Sequence, residues 1–170
     1  MKQEIDVAMI IRPALASDRS AIWRILEPVL RAGETYALPR DWSRAQALRF
    51  WFAPTHSVFV AEREGAVLGT YYLQANQPGG GAHVANCGYM TASEATGRGV
   101  AQTMCMHSLE EAGRRGFRAM QFNCVVSTNT RAVALWERLG FRIVCVLPGA
   151  FAHPGMGDVD ALVMFRALSL

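Results

Sequence analysis

Lysine is almost missing from this chain. Lys2 is the only one, and arginine supplies the rest of the 17 basic residues. Metal-ligand spacing is missing too. The four cysteines (Cys87, Cys105, Cys124, Cys145) form no CxxC or Cys/His pattern, so no structural metal is expected and the thiols are read as reduced, small hydrophobes. No apolar run approaches the ~20 residues a membrane helix needs. The opening MKQEIDVAMIIRP carries Glu4 and Asp6 and is broken by Arg12 and Pro13, unlike a signal or transit peptide. These features exclude a membrane partner and make the cytoplasm the expected location. The net charge of +3 is too small for a nucleic-acid protein. Repeats, linkers and low-complexity tracts are absent, and 170 residues suit one domain spanning 1–170. Acidic residues are lacking from Ala112 to Trp136, where Arg114, Arg115, Arg118 and Arg131 fall. That local field suits a small polyanion; a solvated arginine-rich surface is the plainer explanation.

What is present is a regular alternation of strand and helix signals. VAMIIRP (7–13) has strand composition. Ser17-Asp18 is a cap pair for a helix through Gly33, which Pro28 is expected to kink or shorten. Ser43 and Gln46 make a capping box opening a second helix, SRAQALRFWF (43–52). SVFVAER (57–63) and AVLGTYYLQ (66–74) read as a hairpin turning at Glu64-Gly65. HVANCGYMT (83–91) is a strand with Gly88 inside it, which marks a bulge or a close backbone approach. A helix from Gly99 to about Gly116 buries Val100, Met104, Leu109 and Ala112. FRAMQFNCVVS (117–127) is a strand, and Asn129 caps the helix TRAVALWERL (130–139), stopped by Gly140. FRIVCVLP (141–148) and DVDALVMFRAL (158–168) are the last strands. The order β-α-α-β-β-β-α-β-α-β-β predicts a mixed α/β sheet with helices on both faces, and 83–126 should be a right-handed parallel crossover.

The stretch EATGRGVAQTM (94–104) places Gly97 and Gly99 around Arg98 at the mouth of a helix. A P-loop is excluded because no lysine follows residue 2. A GxGxxG or GxGxxA fingerprint is excluded because Gln102 occupies the third small position. Free N–H groups in series, the helix macrodipole and glycines that admit phosphate oxygens suit a diphosphate better than a lone carboxylate.

On these residues the chain resembles the GCN5-related N-acetyltransferase (GNAT) family. Thr96-Gly97-Arg98-Gly99-Val100-Ala101 is similar to the acyl-CoA pyrophosphate loop Q/R-x-x-G-x-G/A, with Thr96 departing from the usual Gln or Arg. NTRAVALWERLGF (129–141) is similar to the family's N-x-x-A-x-x-x-Y-x-x-x-G-F, and the likeness covers Ile10 to Arg166. HVANCGYMT and QFNCVVSTN look like the branch of proline-analogue (azetidine-2-carboxylate) acetyltransferases, in which asparagines replace carboxylates near the acceptor. The resemblance implies a GNAT fold, with one mixed central sheet of about seven strands and about four helices.

It further implies acetyl-CoA as co-substrate, no metal, a homodimer and direct acetyl transfer to the amine of a small molecule, with amino acids or toxic amino-acid analogues as the expected class. A protein N-terminal or antibiotic acetyltransferase and a non-catalytic acyl-CoA sensor are the alternatives. Tyr89, Met90, Thr91, Gly97, Arg98, Gly99, Val100, Ala101, Gln102, Asn129, Arg131 and Trp136 would hold the cofactor. Asn86, Asn123 and Tyr89 would be catalytic, a backbone N–H at a Tyr89–Thr91 bulge polarising the thioester carbonyl. Glu34, Thr35, Asn86 and Asn123 would meet the acceptor, with Tyr36 in the same loop; an exposed helix-to-helix loop is the plainer alternative there. The asparagines have one as well, buried amides bracing a bulge or splayed strands. Trp136 stands where relatives carry the tyrosine that protonates the leaving thiolate; an indole cannot be that acid, and an apolar core anchor is its other reading. His83, Glu34 and Asp158 are the candidate bases. An acyl-cysteine route through Cys87 or Cys124 is disfavoured, neither having an evident His partner.

Overall fold

The computed structural model describes residues 8–168. Its elements are β1 (Ile10–Pro13), α1 (Arg19–Ala32), α2 (Arg44–Trp51), β2 (Ser57–Arg63), β3 (Ala66–Ala75), β4 (Val84–Thr91), α3 (Val100–Arg114), β5 (Ala119–Val126), α4 (Thr130–Arg138), β6 (Arg142–His153) and β7 (Gly157–Ala167). The seven strands form one sheet in the order β1-β2-β3-β4-β5-β7-β6. The expected mixed α/β sheet with four helices is therefore the observed one. Every neighbouring pair is antiparallel except β4 and β5, which the α3 crossover joins in parallel.

Local chemistry explains most boundaries. The Ser43 hydroxyl accepts the Gln46 N–H at 3.3 Å while Gln46 Oε1 accepts the Ser43 N–H at 2.9 Å, a complete capping box. Glu64 and Gly65 both have positive φ (52° and 76°), as a two-residue hairpin turn requires. α1 runs its full length through Pro28 and ends on left-handed Gly33, whose N–H reaches the Val29 carbonyl.

Four expectations need correcting. β1 begins at Ile10, with Ala8 and Met9 outside it and Val7 beyond the described residues. Asp18 does not cap α1 with its side chain: its carboxylate accepts the Leu15 N–H at 2.7 Å and is held by Arg12. β6 does not stop at Pro148 but continues to His153, with register shifts at Ile143/Cys145 and Leu147/Phe151. An edge strand tolerates Pro148, and Gly149 takes φ 61° in the second irregularity. Only Cys87 and Cys105 are buried; Cys124 and Cys145 are exposed.

Tyr71 and Tyr72, adjacent on β3, face opposite layers. Tyr71 stacks on Phe59 on the α3 side, and Tyr72 meets Trp51 of α2 edge-on. The Trp51 indole donates to Thr70 Oγ1 at 3.0 Å, and that hydroxyl donates to the Phe59 carbonyl at 2.9 Å, so both buried polar groups are satisfied. α3 lies directly on Gly69, where a Cβ would come within 2.7 Å of Val100 and 2.8 Å of Met104. No helix among the described residues is long and apolar enough to cross a membrane.

Arg12 clamps β1 to the rest, bridging Asp18 at 2.7 Å and Glu62 at 2.6 Å. That guanidinium holds the buried Asp18 carboxyl below its usual range. Asp18→Ala is expected to cost about 1–3 kcal/mol at neutral pH, the range for losing a charged hydrogen-bond partner. A depressed carboxyl stabilises the fold above its unfolded pKa and loses that contribution as pH falls through the folded one. Urea melts should therefore show the gap between wild type and variant narrowing as pH drops from 7 towards 3.

Candidate active site

The site originates in an interrupted ladder. β4 and β5 are paired only at Val84↔Ala119 and Ala85↔Met120, after which they diverge. At the point of divergence Asn86 Nδ2 donates to the Gln121 carbonyl at 2.9 Å, a side chain standing in for the next main-chain rung. Beyond it opens a cavity of about 1180 Å³ that runs from the α1–α2 loop to the start of α3 and α4.

The divergence leaves β4 with free donors. Its register with β3 is unbroken from Ala75↔Ala85 to Gly69↔Thr91. The Asn76 N–H donates to the Val84 carbonyl at 2.8 Å and the Ala92 N–H to the Leu68 carbonyl at 2.9 Å. Even-numbered residues of β4 thus turn their backbone groups to β3, and Cys87, Tyr89 and Thr91 turn theirs to the opening. The expected bulge at Tyr89–Thr91 does not exist; those N–H groups are exposed by the departure of β5. The bulge lies on β5 instead. Its register against β7 shifts between Phe122 and Val125, which brings both Asn123 and Cys124 to the cavity. Gly88 marks a close approach, since a Cβ there would lie 2.5 Å from the Tyr72 ring and 2.9 Å from the Tyr36 hydroxyl.

At the far end, Gly97 (φ 81°) and Gly99 (φ 78°) turn the chain into α3. The Arg98 N–H is used by Ala95, and the first helical bond is Thr103 N–H to the Gly99 carbonyl at 2.9 Å. Val100, Ala101 and Gln102 consequently have no intrahelical acceptor for their N–H groups, and all three line the cavity. Thr96 lines it too. Across the cleft, Asn129 Oδ1 accepts the Ala132 N–H at 3.3 Å and starts α4, as its sequence position suggests. Arg131, in the first turn of α4, places a guanidinium nitrogen 3.6 Å from the position a Gly97 Cβ would occupy. Arg98 is exposed and outside the cavity wall, so Arg131 and Arg138 carry the positive charge that lines it.

Met90 and Thr91 line the middle of the cleft. Trp136 is buried, with its ring 5.2 Å from those of Tyr89 and Phe122, and it borders the cavity as an apolar wall. The Tyr89 side chain turns away towards α3. Ser108 Oγ donates to the Cys105 carbonyl, so the Tyr89 hydroxyl is the donor in its 2.6 Å bond to Ser108. Burial raises the Tyr89 phenol well above its usual pKa, and the buried Cys87 thiol is pushed up to about 12 for the same reason. Both are neutral groups here.

At the α1–α2 end, Thr35 lines the cavity and Glu34 does not. Tyr36 Oη donates to the Tyr89 carbonyl at 2.9 Å, pinning the α1–α2 loop to the free edge of β4. The loop ends are tied by a reciprocal pair: the Arg31 guanidinium donates to the Arg40 and Trp42 carbonyls, and Arg40 Nε donates to the Arg31 carbonyl. Asn123 is exposed and held in an amide chain, accepting from Gln121 Nε2 at 2.8 Å and donating to Asn76 Oδ1 at 2.7 Å. None of the three candidate bases (His83, Glu34, Asp158) lines the cavity, and no other Asp, Glu or His among the described residues does. No group of three or more His, Cys, Asp or Glu side chains able to hold a metal occurs among the described residues.

No motif in the sequence announces Phe50 and Tyr72 in the cavity wall, or Asn76, which holds Asn123. Adjacent tyrosines on one strand were the available signal for Tyr72, because only one of them can face each layer.

Residues 19–141 match the family described as the acetyltransferase (GNAT) family. N-acetyltransferase aca1 of Schizosaccharomyces pombe is 27% identical over 151 residues, 79% of this chain and 72% of that protein. A GCN5-related N-acetyltransferase from Kribbella flavida has a solved structure 44% identical to this chain, with a TM-score of 0.91 over 95% of this chain and 98% of that one. A phosphinothricin acetyltransferase from Sinorhizobium meliloti, solved in complex with AcCoA, shares the fold at 24% identity, with a TM-score of 0.83 over 95% and 89%.

Gly88→Ala forces a methyl into the Tyr72 ring and the Tyr36 hydroxyl. Overpacking of this kind costs about 1–3 kcal/mol, and thermal melts should show that loss. Gly88→Ala should cost less in a Tyr36→Phe background than in the wild type, because that background lacks the 2.9 Å contact while the Tyr72 clash remains.

Proposed function

The chain belongs to the GNAT family of N-acetyltransferases, and we propose that it transfers the acetyl group of acetyl-CoA directly to the amine of a small molecule, an amino acid or toxic amino-acid analogue. The observation that carries this reading is the run of unpaired N–H groups from Val100 to Gln102 at the mouth of α3, opening into the same cleft as the free edge of β4. The bound AcCoA of the phosphinothricin acetyltransferase supports the choice of co-substrate.

In this reading the diphosphate sits on the α3 mouth, with Gly97 and Gly99 allowing close approach and Arg131 adding charge. The thioester lies along β4, where the Tyr89 N–H donates to its carbonyl oxygen. The adjacent Tyr89 carbonyl, a second acceptor that would repel the developing oxyanion, is already occupied by Tyr36. Nitrogen attacks the carbonyl carbon, the C–S bond breaks, and sulfur leaves as a thiolate that takes up a proton from the amine through solvent. Trp136 supplies shape and no proton. Asn86 and Asn123 position the acceptor, and rate enhancement comes mainly from orientation.

Thiol release from acetyl-CoA, measured against a panel of amino acids, their analogues and short peptides, tests the proposal. Acceptor-dependent release with the small amines is expected. Tight acetyl-CoA binding without any release would leave a sensor, and release with peptides alone would make the chain a protein N-terminal acetyltransferase. Arg131→Ala should raise the KM for acetyl-CoA about tenfold, in line with the loss of one charge-assisted contact.

The reaction's pH dependence follows from a cavity wall that holds no Asp, Glu or His among the described residues. The rate should track the free-base fraction of the amine, rising about tenfold per pH unit up to the amine's own pKa. Burial pushes Tyr72 up to about 12, so it stays protonated throughout that rise. A plateau set near pH 6 to 7, below the amine's own pKa, would identify a protein base and contradict this account.

Homodimer formation through β6 is also proposed. Ile143, Val144, Val146 and Leu147 are exposed on this outermost strand, beside exposed Met156. Sedimentation equilibrium should give twice the chain mass, reduced to the monomer by Val146→Glu.

A further inference from the structure

The acceptor wall contains two nearly buried residues, Tyr72 and Asn86, that each turn to the cavity a polar atom no protein group bonds. Tyr72 is 7% exposed, with its ring gripped on several sides. It stacks on His56 at 4.0 Å and 3°, and meets Trp51 at 5.0 Å and Phe50 at 6.0 Å edge-on. His56 is itself fixed: its Nδ1 lies 3.0 Å from the Trp51 carbonyl, which only accepts, so that nitrogen carries the proton. Tyr71 next door bonds His107 at 2.6 Å. The Tyr72 hydroxyl makes no hydrogen bond to any described residue and borders the cavity.

Asn86 is 8% exposed. Its Nδ2 is committed to the Gln121 carbonyl, which settles the amide orientation and leaves Oδ1 as the free atom. The two residues share a face, because Tyr72 pairs with Gly88 and Asn86 lies two residues before Gly88 on β4. Gly88 puts no side chain between them. Neither atom is sealed off: both open onto the cavity, where water meets them until a ligand's polar group takes its place.

Apart from the half-buried Thr35, whose hydroxyl also has no partner, the rest of this wall is apolar or already satisfied. Val29, Leu38 and Phe50 offer carbon, and the Tyr36 hydroxyl is engaged by the Tyr89 carbonyl. The charged lining groups, Arg131 and Arg138, both belong to α4 on the cofactor side. A second charge pressed against the acceptor wall would therefore go unpaired, and an unpaired buried charge is strongly disfavoured.

Resting on the acetyltransferase reading above, we infer that Tyr72 is the acceptor-recognition residue, holding the amine with Asn86 Oδ1, and that the acceptor carries an apolar side chain. The amine donates one N–H to Asn86 Oδ1 and another to the Tyr72 hydroxyl oxygen, which leaves the nitrogen lone pair free for the thioester carbonyl. The side chain packs on Phe50, Leu38 and Val29.

Two measurements on the full-length protein test this. In the first, leucine, methionine and phenylalanine are compared with aspartate, glutamate and lysine as acceptors, the α-carboxylate being common to all. The apolar set should have kcat/KM at least about tenfold higher, the discrimination expected when a site leaves a charge unpaired. Equal or faster turnover of a charged acceptor would overturn the inference while leaving the acetyltransferase reading intact. Absence of turnover with every amine, in protein that binds acetyl-CoA, would overturn both. In the second, Tyr72→Phe keeps the ring stack and removes only the hydroxyl. It should lower kcat/KM for the favoured amine about tenfold with the KM for acetyl-CoA unchanged. A kcat/KM within twofold of wild type, or equal losses for amine and acetyl-CoA, would contradict a recognition role. The acceptor panel needs no variant, so it decides the question even if the substituted protein folds poorly.

Discussion

The structure depends on one unfinished hydrogen-bond ladder. In a seven-stranded sheet where every other pair runs antiparallel, β4 and β5 pair in parallel over two residues and then part. Buried backbone groups are ordinarily paired, so a strand that loses its neighbour must meet side chains, solvent or a ligand instead. Here Asn86 supplies one substitute rung and Tyr36 a second, through the Tyr89 carbonyl. The N–H groups of Cys87, Tyr89 and Thr91 are left facing the opening. The same gap lets α3 begin at the end of β4, so donors along a strand and donors at a helix mouth share one cleft. Gly69 sets their relative position, because Val100 sits where its side chain would be.

The two layers of helices divide the labour that we propose for this cleft. The α3–α4 side has the glycine turns, the unpaired helical N–H groups and the cleft-lining arginines, which suit a long anionic cofactor. The α1–α2 side is aromatic and uncharged. Its loop is held at both ends by the Arg31–Arg40 pair and at its middle by Tyr36, so the wall is built before any acceptor arrives. Preorganisation of this kind suits a reaction that gains chiefly from orientation.

Local signals were readable along the chain, and lateral ones were not. Ser43 with Gln46, Asn129, Glu64-Gly65 and the glycines at 97 and 99 each act within a few residues of themselves, and their roles in the backbone follow from that short range. Asp18 looked like a helix cap, yet its carboxylate is captured by Arg12 on a strand whose other ion-pair partner, Glu62, lies far along the sequence. The bulge at Asn123 and Cys124 depends on how β5 meets β7, and no local pattern announces it. Arg98 sits between the two glycines but is exposed and outside the cavity wall, whereas Arg131 reaches Gly97 from a separate helix. Pro148-Gly149 reads as the end of a strand, and only at a sheet edge can the strand survive it. The asparagines were legible as exceptions to strand propensity. That Asn86 braces the splay and still presents a free oxygen required the position of Gln121.

The most direct measurement of the central claim is a crystal structure of the protein with acetyl-CoA bound. The diphosphate oxygens should lie within hydrogen-bond distance of the N–H groups from Gly99 to Gln102, and the thioester carbonyl should accept from Tyr89 where β4 and β5 part. Acetyl-CoA bound with its diphosphate elsewhere, or with its thioester remote from that divergence, would contradict the account.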